Sequence, residues 1–256
     1  MSNNKIRKTR ETELVEAFTP LSDSLQMGVR IYKILVNSVV TGKVSPGTQL
    51  RPDAIASQLD VSTTPVREAM QRLEADGLVV KVPYQGWFVR EFTEKEVRQL
   101  YEYRASLERF SVRLACQYIT PKDVMWLRKH QAYGKAAIKS KDMEAYRAYN
   151  RDFHQRILGI ANNSYLVSAM AQVALQSETL TAKAVNILGR PLRAIEEHAK
   201  LIDLMENHKL DEVQKLMERH IMSALEAIIS SNAAIFQSQP QRGNGLLSFE
   251  KAAFPS

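Results

Sequence analysis

The chain has 256 residues and a net charge of +7, and its 45% hydrophobic content can form a core, which excludes a protein that is disordered throughout. No apolar run approaches the roughly 18 residues of a membrane span, and the N-terminus lacks the apolar stretch of a signal peptide. The single cysteine, Cys116, excludes an intramolecular disulfide and suits the reducing cytoplasm, where we expect the protein to act.

The positive charge is spread along the chain and does not by itself locate a binding surface. Residues 1–90 and 91–234 each carry +3, and residues 235–256 carry +1. A basic balance suggests an acidic partner such as nucleic acid, although many basic proteins bind none. A prediction of DNA binding must therefore rest on the residue pattern.

The first third of the chain combines short helical patterns with turn residues. Residues 1–26 are polar and are predicted to form an N-terminal arm or a short helix. Apolar residues at near-helical spacing then predict a helix over 27–42. Two shorter helices are predicted over 52–59 and 62–76, and two β-rich runs around a turn predict a hairpin over 78–89.

The two shorter helices have the spacing of a helix-turn-helix. Ala56 is small where two helices must approach closely, and Val66 is an apolar packing position. Asp60 lies at the turn, where it tolerates a left-handed conformation better than most residues. The second helix opens on small hydroxyls and an arginine, which suit phosphates and base edges in a major groove. These residues are Ser62, Thr63, Thr64 and Arg67.

The hairpin after the second helix is predicted to be the wing of a winged helix-turn-helix. Its tip residues Gln85 and Gly86 are candidates to reach an adjacent minor groove. The alternative is an ordinary helix pair followed by a hairpin, with Ser62 and Thr63 acting only as helix caps. The helix pair, Arg67 and the hairpin occur in the order expected of a DNA-binding module, which favours DNA binding.

Residues 27–90 resemble the winged-helix domain of the GntR family of bacterial transcription regulators. The resemblance rests on Gly42, residues 46–50, 55–59, 61–70 and 73–78, and Gly86. The family usually has arginine where Thr63 stands and glycine where Asp60 stands. Near the start of the second helix, where an arginine often touches DNA, this chain has Asp53, with Arg51 two residues earlier.

The resemblance therefore implies a set of DNA-binding residues. The first choices are Ser62, Thr64 and Arg67, and the further candidates are Arg51, Thr63, Gln85 and Gly86.

From residue 93 onward the pattern is helical. Thr93 and Glu96 form a capping box that opens a helix to about residue 118, and Thr120 with Pro121 opens the next. Further helices are predicted over 142–160, 164–187, 190–207 and 211–235. The fold class is mainly α: an N-terminal winged helix-turn-helix over 27–92, then an all-α helical bundle over 93–234. Residues 235–256 are predicted to be a disordered tail.

Three of the five histidines lie on apolar stripes of predicted helices. His198 lies 11 residues before the predicted turn at Lys209 and His220 lies 11 after it, so an antiparallel hairpin places them at the same height. Asn150 and His154 lie one turn apart on one helix face. These four side chains could converge on one divalent metal ion. The alternative is that each histidine is a hydrogen-bonded core residue.

The other two histidines have weaker indications. His208 falls at the turn between the last two helices and is predicted to be a solvated helix-terminal residue. His130 neighbours Trp126, and the sequence assigns it no role.

Residues 93–234 resemble the all-helical effector domain of the FadR subgroup, called FCD. The resemblance rests on residues 101–108, Phe153, His154, Asn163, Glu197, His198 and His220. Metal-binding members of this subgroup place Asp and three His at the positions of Asn150, His154, His198 and His220. The resemblance implies a bound divalent metal, zinc or nickel, with weaker or differently selective binding here because Asn brings no negative charge.

Arg104 is a candidate effector-binding residue. In the family, an arginine in this part of the first effector-domain helix can face the cavity and hold a carboxylate, which a guanidinium can bind in a bidentate manner. The alternative is a solvated arginine on the helix surface. A cavity that holds a metal cation and Arg104 would favour a small organic acid.

These features predict a ligand-responsive bacterial DNA-binding transcription regulator, not an enzyme. We expect a homodimer that reads a pseudo-palindromic duplex operator. In the family, repression that is relieved by ligand is the commoner mode of regulation. One alternative is a regulator whose effector pocket needs no metal. Another is a metal-dependent hydrolase, although the chain lacks an HExxH motif, a nucleophile motif and an obvious general base.

Overall fold

The structure is a computed structural model that describes residues 23–184 and 189–238. Within these residues the chain divides into two units, with Lys43–Arg90 in the first and the residues from Glu91 in the second. The chain up to Val39 belongs to the first unit, and the short stretch Val40–Gly42 to the second. The predicted arm and tail fall mostly outside the described residues.

The first unit is a helix-turn-helix with a small sheet. Its elements are α1 (Asp23–Val40), β1 (Gln49–Leu50), α2 (Pro52–Leu59), α3 (Thr63–Ala75), β2 (Val79–Val82) and β3 (Gly86–Val89). The strands are antiparallel in the order β1–β3–β2, with Val82 opposite Gly86 at the hairpin end. The short strand β1, which pairs with β3, was not predicted, and α1 begins four residues before the predicted start at residue 27.

The turn between α2 and α3 forms as the residue types predict. Pro52 opens α2, where a missing N–H costs no hydrogen bond. Asp60 ends the helix in the left-handed conformation, with φ of 52°. The N–H of Val61 then donates to the carbonyl of Ala56 at 3.0 Å. Ala56 and Val66 are both buried, so the two helices pack closely.

The wing is anchored to the recognition helix α3 by Trp87. Its indole N–H donates to Glu74 on α3 at 3.0 Å, and the ring is buried. Leu73 near the end of α3, Leu78 in the connection and Val79 at the start of β2 are also fully buried. These apolar side chains stabilise the junction between α3 and β2. The hairpin is therefore held in a fixed place relative to α3.

The second unit is a bundle of helices. Its elements are α4 (Glu94–Tyr118), α5 (Pro121–Lys139), α6 (Met143–Ala161), α7 (Ser164–Ala184), α8 (Arg190–Glu206) and α9 (Leu210–Ser238). The predicted capping box of Thr93 and Glu96 is present at the start of α4. α9 runs to Ser238, so the tail predicted from residue 235 begins too early, because the helical pattern continues past that point. The predicted end of α7 at 187 lies outside the described residues.

The bundle core is built mainly by α4, α6, α8 and α9. Fully buried side chains from these helices include Tyr101, Val112, Phe153, Ile157, Leu201, Ile202, Met217 and Ile228. Cys116 is buried in the same core, and burial raises the pKa of its thiol, which fits the predicted packing role. Among the described residues, no helix is both long and apolar enough to cross a membrane.

Candidate metal centre and nucleic-acid interface

Three histidines from three helices converge inside the bundle. His154 lies on α6, His198 on α8 and His220 on α9, and all three side chains are buried. One ring nitrogen from each lies within 4.8 Å of the other two. The Nε2 atoms of His198 and His220 are 3.2 Å apart. This triad could hold a metal ion, since imidazole nitrogens are common ligands of divalent metals.

The other ring nitrogen of two of these histidines is held by a polar partner. The Tyr149 hydroxyl oxygen lies 2.8 Å from Nδ1 of His198, and the Glu197 carboxylate lies 2.6 Å from Nδ1 of His220. A carboxylate can only accept, so Nδ1–H of His220 donates and its Nε2 keeps a lone pair. Such outer partners orient the rings and set their tautomers in metal sites.

The histidine environment favours neutral rings. Burial lowers the pKa of His220 to about 4, although Glu197 acts in the opposite direction. Burial also lowers the pKa of His198 well below its usual range. Both rings are therefore neutral near pH 7, which is the form that binds a metal ion.

His154 differs from the other two histidines because its Nε2 has no hydrogen-bond partner among the described residues. Its Nδ1 lies 3.1 Å from Oε1 of Glu108. A buried polar atom without a partner is costly unless a missing ligand satisfies it. This feature fits a metal ion at the triad.

Asn150 lies one turn before His154 on α6 and is half-buried. Its role as a fourth ligand stays a prediction.

The predicted effector residue Arg104 is not a solvated surface residue. Its side chain is 11% exposed, and Nη2 lies 3.3 Å from Oε1 of Glu108. Burial raises the pKa of Glu108, but His154 and Arg104 outweigh burial and lower it to about 2, so the carboxylate is ionised. Arg104 and His154 thus flank one buried carboxylate.

Three buried polar atoms beside this pair make no hydrogen bond of regular geometry with any described residue, although Tyr101 interacts with both Arg104 and Ser177. They are Nε of Arg104, the hydroxyl of Tyr101 and Oγ of Ser177. Tyr101 lies one turn before Arg104 on α4, and the guanidinium lies 5.6 Å from the centre of its ring. Arg104, Tyr101 and Ser177 can therefore donate hydrogen bonds to a polar ligand.

The polar partners Tyr149, Glu197 and Glu108 were not predicted as site residues. Tyr149 directly precedes Asn150, and Glu197 directly precedes His198, so each neighbours a residue that was singled out. Glu108 lies four residues after Arg104, one helical turn away. Neighbours in sequence face different directions on a helix, and Tyr149 and Glu197 each contact a histidine of another helix, so the sequence carries no signal for these contacts.

The remaining histidines lie outside the triad. His208 is exposed, as predicted for a residue at the turn, but its Nδ1 also lies 2.7 Å from the carbonyl of Cys116. His130 stacks on Trp126, with ring centres 4.6 Å apart, and lies near Tyr133.

In the first unit, the predicted DNA-binding residues of α3 lie at its N-terminal end. Ser62, Thr64 and Arg67 are exposed, and Thr63 is half-buried. Ser62 is the N-cap residue but makes no capping hydrogen bond through its side chain. The alternative in which its hydroxyl acts as a cap therefore has no support.

Hydrogen bonds link the start of α2 to the wing. Nε of Arg51 donates to Gln49 at 3.1 Å, and the amide of Gln49 donates to the carbonyl of Gln85 at 2.6 Å. Arg51 and Gln85 are exposed, and Gly86 has φ of 93°. Arg51 and Gln85 are thus joined through Gln49 by a chain of hydrogen bonds.

Comparison with known proteins matches both units. The model of bacterial regulatory proteins of the gntR family matches residues 28–89, and the FCD domain model matches residues 99–223. The chain is 30% identical over 185 residues to the Nta operon transcriptional regulator of Aminobacter aminovorans, covering 72% of this chain and 86% of that protein.

Two further relatives are more distant. The HTH-type transcriptional repressor RspR of Escherichia coli is 23% identical, covering 82% of this chain and 92% of RspR. The solved structure of E. coli McbR/YncC superposes with a TM-score of 0.70 at 22% identity, covering 80% of this chain and 97% of that one. The Nta operon regulator and RspR are named as transcription regulators, which gives the hydrolase alternative no support. The chain therefore belongs to the GntR family of bacterial DNA-binding transcription regulators and carries an FCD effector domain.

Proposed function

We propose that this regulator is a homodimeric repressor that senses a small organic acid through a divalent metal ion. The convergence of three buried histidine nitrogens within 4.8 Å carries the proposal. In this assignment residues 27–92 read DNA and residues 93–234 bind the effector. A protein that reads bacterial DNA acts in the cytoplasm, which is the location we propose.

The donor set is suited to zinc or nickel. Imidazole nitrogens favour these ions, and three histidines with Asn150 leave coordination positions open for a ligand. All four donors are uncharged, so the nearby carboxylates of Glu108 and Glu197 would offset the charge of the ion. When bound, the ion would supply a Lewis-acid centre for an anionic effector.

The residues around Arg104 support a carboxylate effector. Arg104 is already paired with Glu108 through Nη2, but its Nε has no hydrogen-bond partner. The hydroxyl of Tyr101 interacts with Arg104 and Ser177, but neither it nor the hydroxyl of Ser177 makes a hydrogen bond of regular geometry among the described residues. A small acid could bind the metal through one oxygen group and these donors through another.

The exposed end of α3 supports the DNA-reading assignment. Ser62, Thr64 and Arg67 would contact phosphates and base edges, with Thr63 beside them and Arg51, Gln85 and Gly86 as further contacts. A dimer would present two copies of α3 to two half-sites. The name of RspR as a repressor supports repression as the sign of regulation.

Elemental analysis tests the metal assignment. Protein purified without chelator and without a nickel column should contain about one zinc or nickel ion per chain. Chelator-stripped protein titrated with zinc in a calorimeter should rebind it, and His220→Ala should abolish this binding. The matched control is His208→Ala, because His208 is an exposed histidine of the same bundle outside the triad.

Two outcomes would contradict the metal assignment. Stripped wild-type protein that binds neither zinc nor nickel would favour the alternative of a metal-free effector pocket. Equal zinc binding by wild type and His220→Ala would place the ion elsewhere.

A further inference from the structure

The tip of the wing carries a tyrosine in a conformation that tyrosine rarely adopts. The N–H of Gln85 donates to the carbonyl of Val82 at 3.1 Å, which closes a four-residue turn. Pro83 occupies the second position and Tyr84 the third, with φ of 62°. A proline followed by a positive φ is typical of a type II turn, whose third position favours glycine or asparagine. Tyr84 therefore occupies a strained backbone position.

The Tyr84 side chain makes no contact that stabilises the described part of the fold. Tyr84 is fully exposed, with a relative exposure of 109%. Its side chain has no hydrogen bond or ring contact with any described residue. A bulky residue held in a strained position without internal contacts points to a functional contact outside the chain.

The surroundings of Tyr84 suit a polyanion. Residues 77–90 include Lys81 and Arg90 and no acidic residue. The turn is also tied to the DNA-reading helices, because Gln49 holds the carbonyl of Gln85 and Trp87 is bonded to α3. The turn therefore projects Tyr84 from a hairpin that is fixed to α3 and has no acidic residue of its own.

We infer that Tyr84 contacts operator DNA, with its ring against the sugar edges of the minor groove beside the groove that α3 reads. The inference rests on the DNA-reading role of this unit. Flat or apolar side chains from a wing or arm commonly enter a minor groove, where sugar edges form an apolar wall. The phenol oxygen would remain near the phosphates. The strain at Tyr84 is then offset in the complex by this contact.

Replacing Tyr84 with glycine tests the DNA contact without destabilising the fold. Glycine adopts a positive φ freely, so Tyr84→Gly removes the ring while it relieves the turn. The probe is the duplex that wild-type protein selects from a random-sequence library. We expect Tyr84→Gly to bind this duplex about tenfold more weakly. Its Tm should equal or exceed that of the wild type.

Two further variants sharpen the test. Tyr84→Phe keeps the ring and should bind within about threefold of the wild type. Tyr84→Asn also tolerates the turn and replaces the glycine variant if that variant fails to fold. Hydroxyl-radical footprinting should show that both Tyr84→Gly and Tyr84→Asn lose protection at one set of sugars while the remaining protection persists.

Tyr165→Ala is the matched control, because Tyr165 is an exposed tyrosine of the other unit and should not affect DNA affinity. Wild-type affinity and an unchanged footprint for Tyr84→Gly would overturn the inference. If Arg67→Ala weakens binding while Tyr84→Gly does not, the inference fails and the DNA-reading role stands. If the wild-type protein selects no duplex, both fail.

Discussion

The hydroxyl of Tyr149 on α6 lies 2.8 Å from Nδ1 of His198 on α8, so the partner of one candidate ligand comes from a different helix. His198 is further fixed by Phe153, whose ring stacks on it with centres 3.8 Å apart. Nε2 is thereby directed at His220. The geometry of the candidate metal centre therefore depends on how α6 packs against α8.

Removal of the Tyr149 hydroxyl should weaken metal binding without removing a ligand. Tyr149→Phe keeps the ring but loses the hydrogen bond that orients His198. Loss of such a partner typically weakens metal affinity by roughly 10- to 100-fold. Zinc affinity would be measured by competition with a chromophoric chelator. Tyr133→Phe, an exposed tyrosine on α5, is the control, and equal affinities for wild type and Tyr149→Phe would rule out the positioning role.

A glycine on α5 makes room for Tyr149. A Cβ added at Gly134 would lie 2.5 Å from Cδ1 of the Tyr149 ring, so Gly134→Ala must displace the ring. Such overpacking costs about 1–3 kcal/mol, and the shifted ring should also loosen His198. Urea unfolding would measure the first effect, and zinc titration would measure the second.

Gly159 on α6 provides the matched control for this substitution. It is exposed, and nothing lies within 4 Å of an added Cβ. Gly159→Ala should stabilise the protein by about 0.5–1 kcal/mol. A Gly134→Ala variant as stable as Gly159→Ala would contradict the close packing of α5 on Tyr149.

Tyr146 should make the protein less stable at alkaline pH. Its side chain is buried among Ala137, Ala194 and Ile195, and burial raises the pKa of Tyr146 to about 12. An unfolded tyrosine ionises near pH 10, so the unfolded state loses its proton first as the pH rises. The stabilising contribution is complete below about pH 10 and is lost between about pH 10 and 12.

At about pH 11, the ionisation of Tyr146 should have lowered the free energy of unfolding by roughly 1 kcal/mol. Urea unfolding of wild type and Tyr146→Phe at neutral and alkaline pH would measure it, and the phenylalanine variant should lack this part of the decline. Tyr165→Phe, at an exposed position, should decline as the wild type does. Identical pH profiles for wild type and Tyr146→Phe would contradict the shifted pKa.

Arg67 should account for part of the operator affinity and of its salt dependence. Its side chain is exposed near the start of α3. Arg67→Ala should weaken binding by about 1–3 kcal/mol if the guanidinium reads a base edge. If Arg67 instead binds a phosphate, the loss should be similar for all sequences, and the dependence on salt should decrease.

Fluorescence anisotropy with the selected duplex and a scrambled duplex, at several salt concentrations, would separate these cases. Arg109→Ala, an exposed arginine of the bundle that pairs with Glu218, is the control. Unchanged affinity for both duplexes would remove Arg67 from the DNA-reading surface.

The sequence predicted the elements of the fold because local signals define them. The turn at Asp60, the capping box at Thr93 and the equal distances of His198 and His220 from their turn all have clear patterns. Periodicity shows that a side chain faces a core, but not which atom it meets there. Glu108 as the neighbour of both Arg104 and His154 is therefore visible only in three dimensions.

The wing also shows that sequence patterns predict an element but not the conformation of each residue within it. The sequence predicted a turn, and it singled out Gln85 and Gly86 as tip residues. The residue with the strained backbone is their neighbour Tyr84, which lies at the third position of the turn that the pairing of Val82 with Gly86 closes. That register could not be derived from composition.

Asn150 offers a direct test of the fourth ligand position. If its amide oxygen binds the metal, Asn150→Asp places a negative charge on the ion and should tighten zinc binding by at least about tenfold. Asn150→Ala should weaken it. Asn163→Asp is the matched control, because Asn163 lies outside the triad and an aspartate there can still accept the hydrogen bond from the N–H of Leu166. Zinc affinities that are equal in wild type, Asn150→Asp and Asn150→Ala would show that only the three histidines bind the ion.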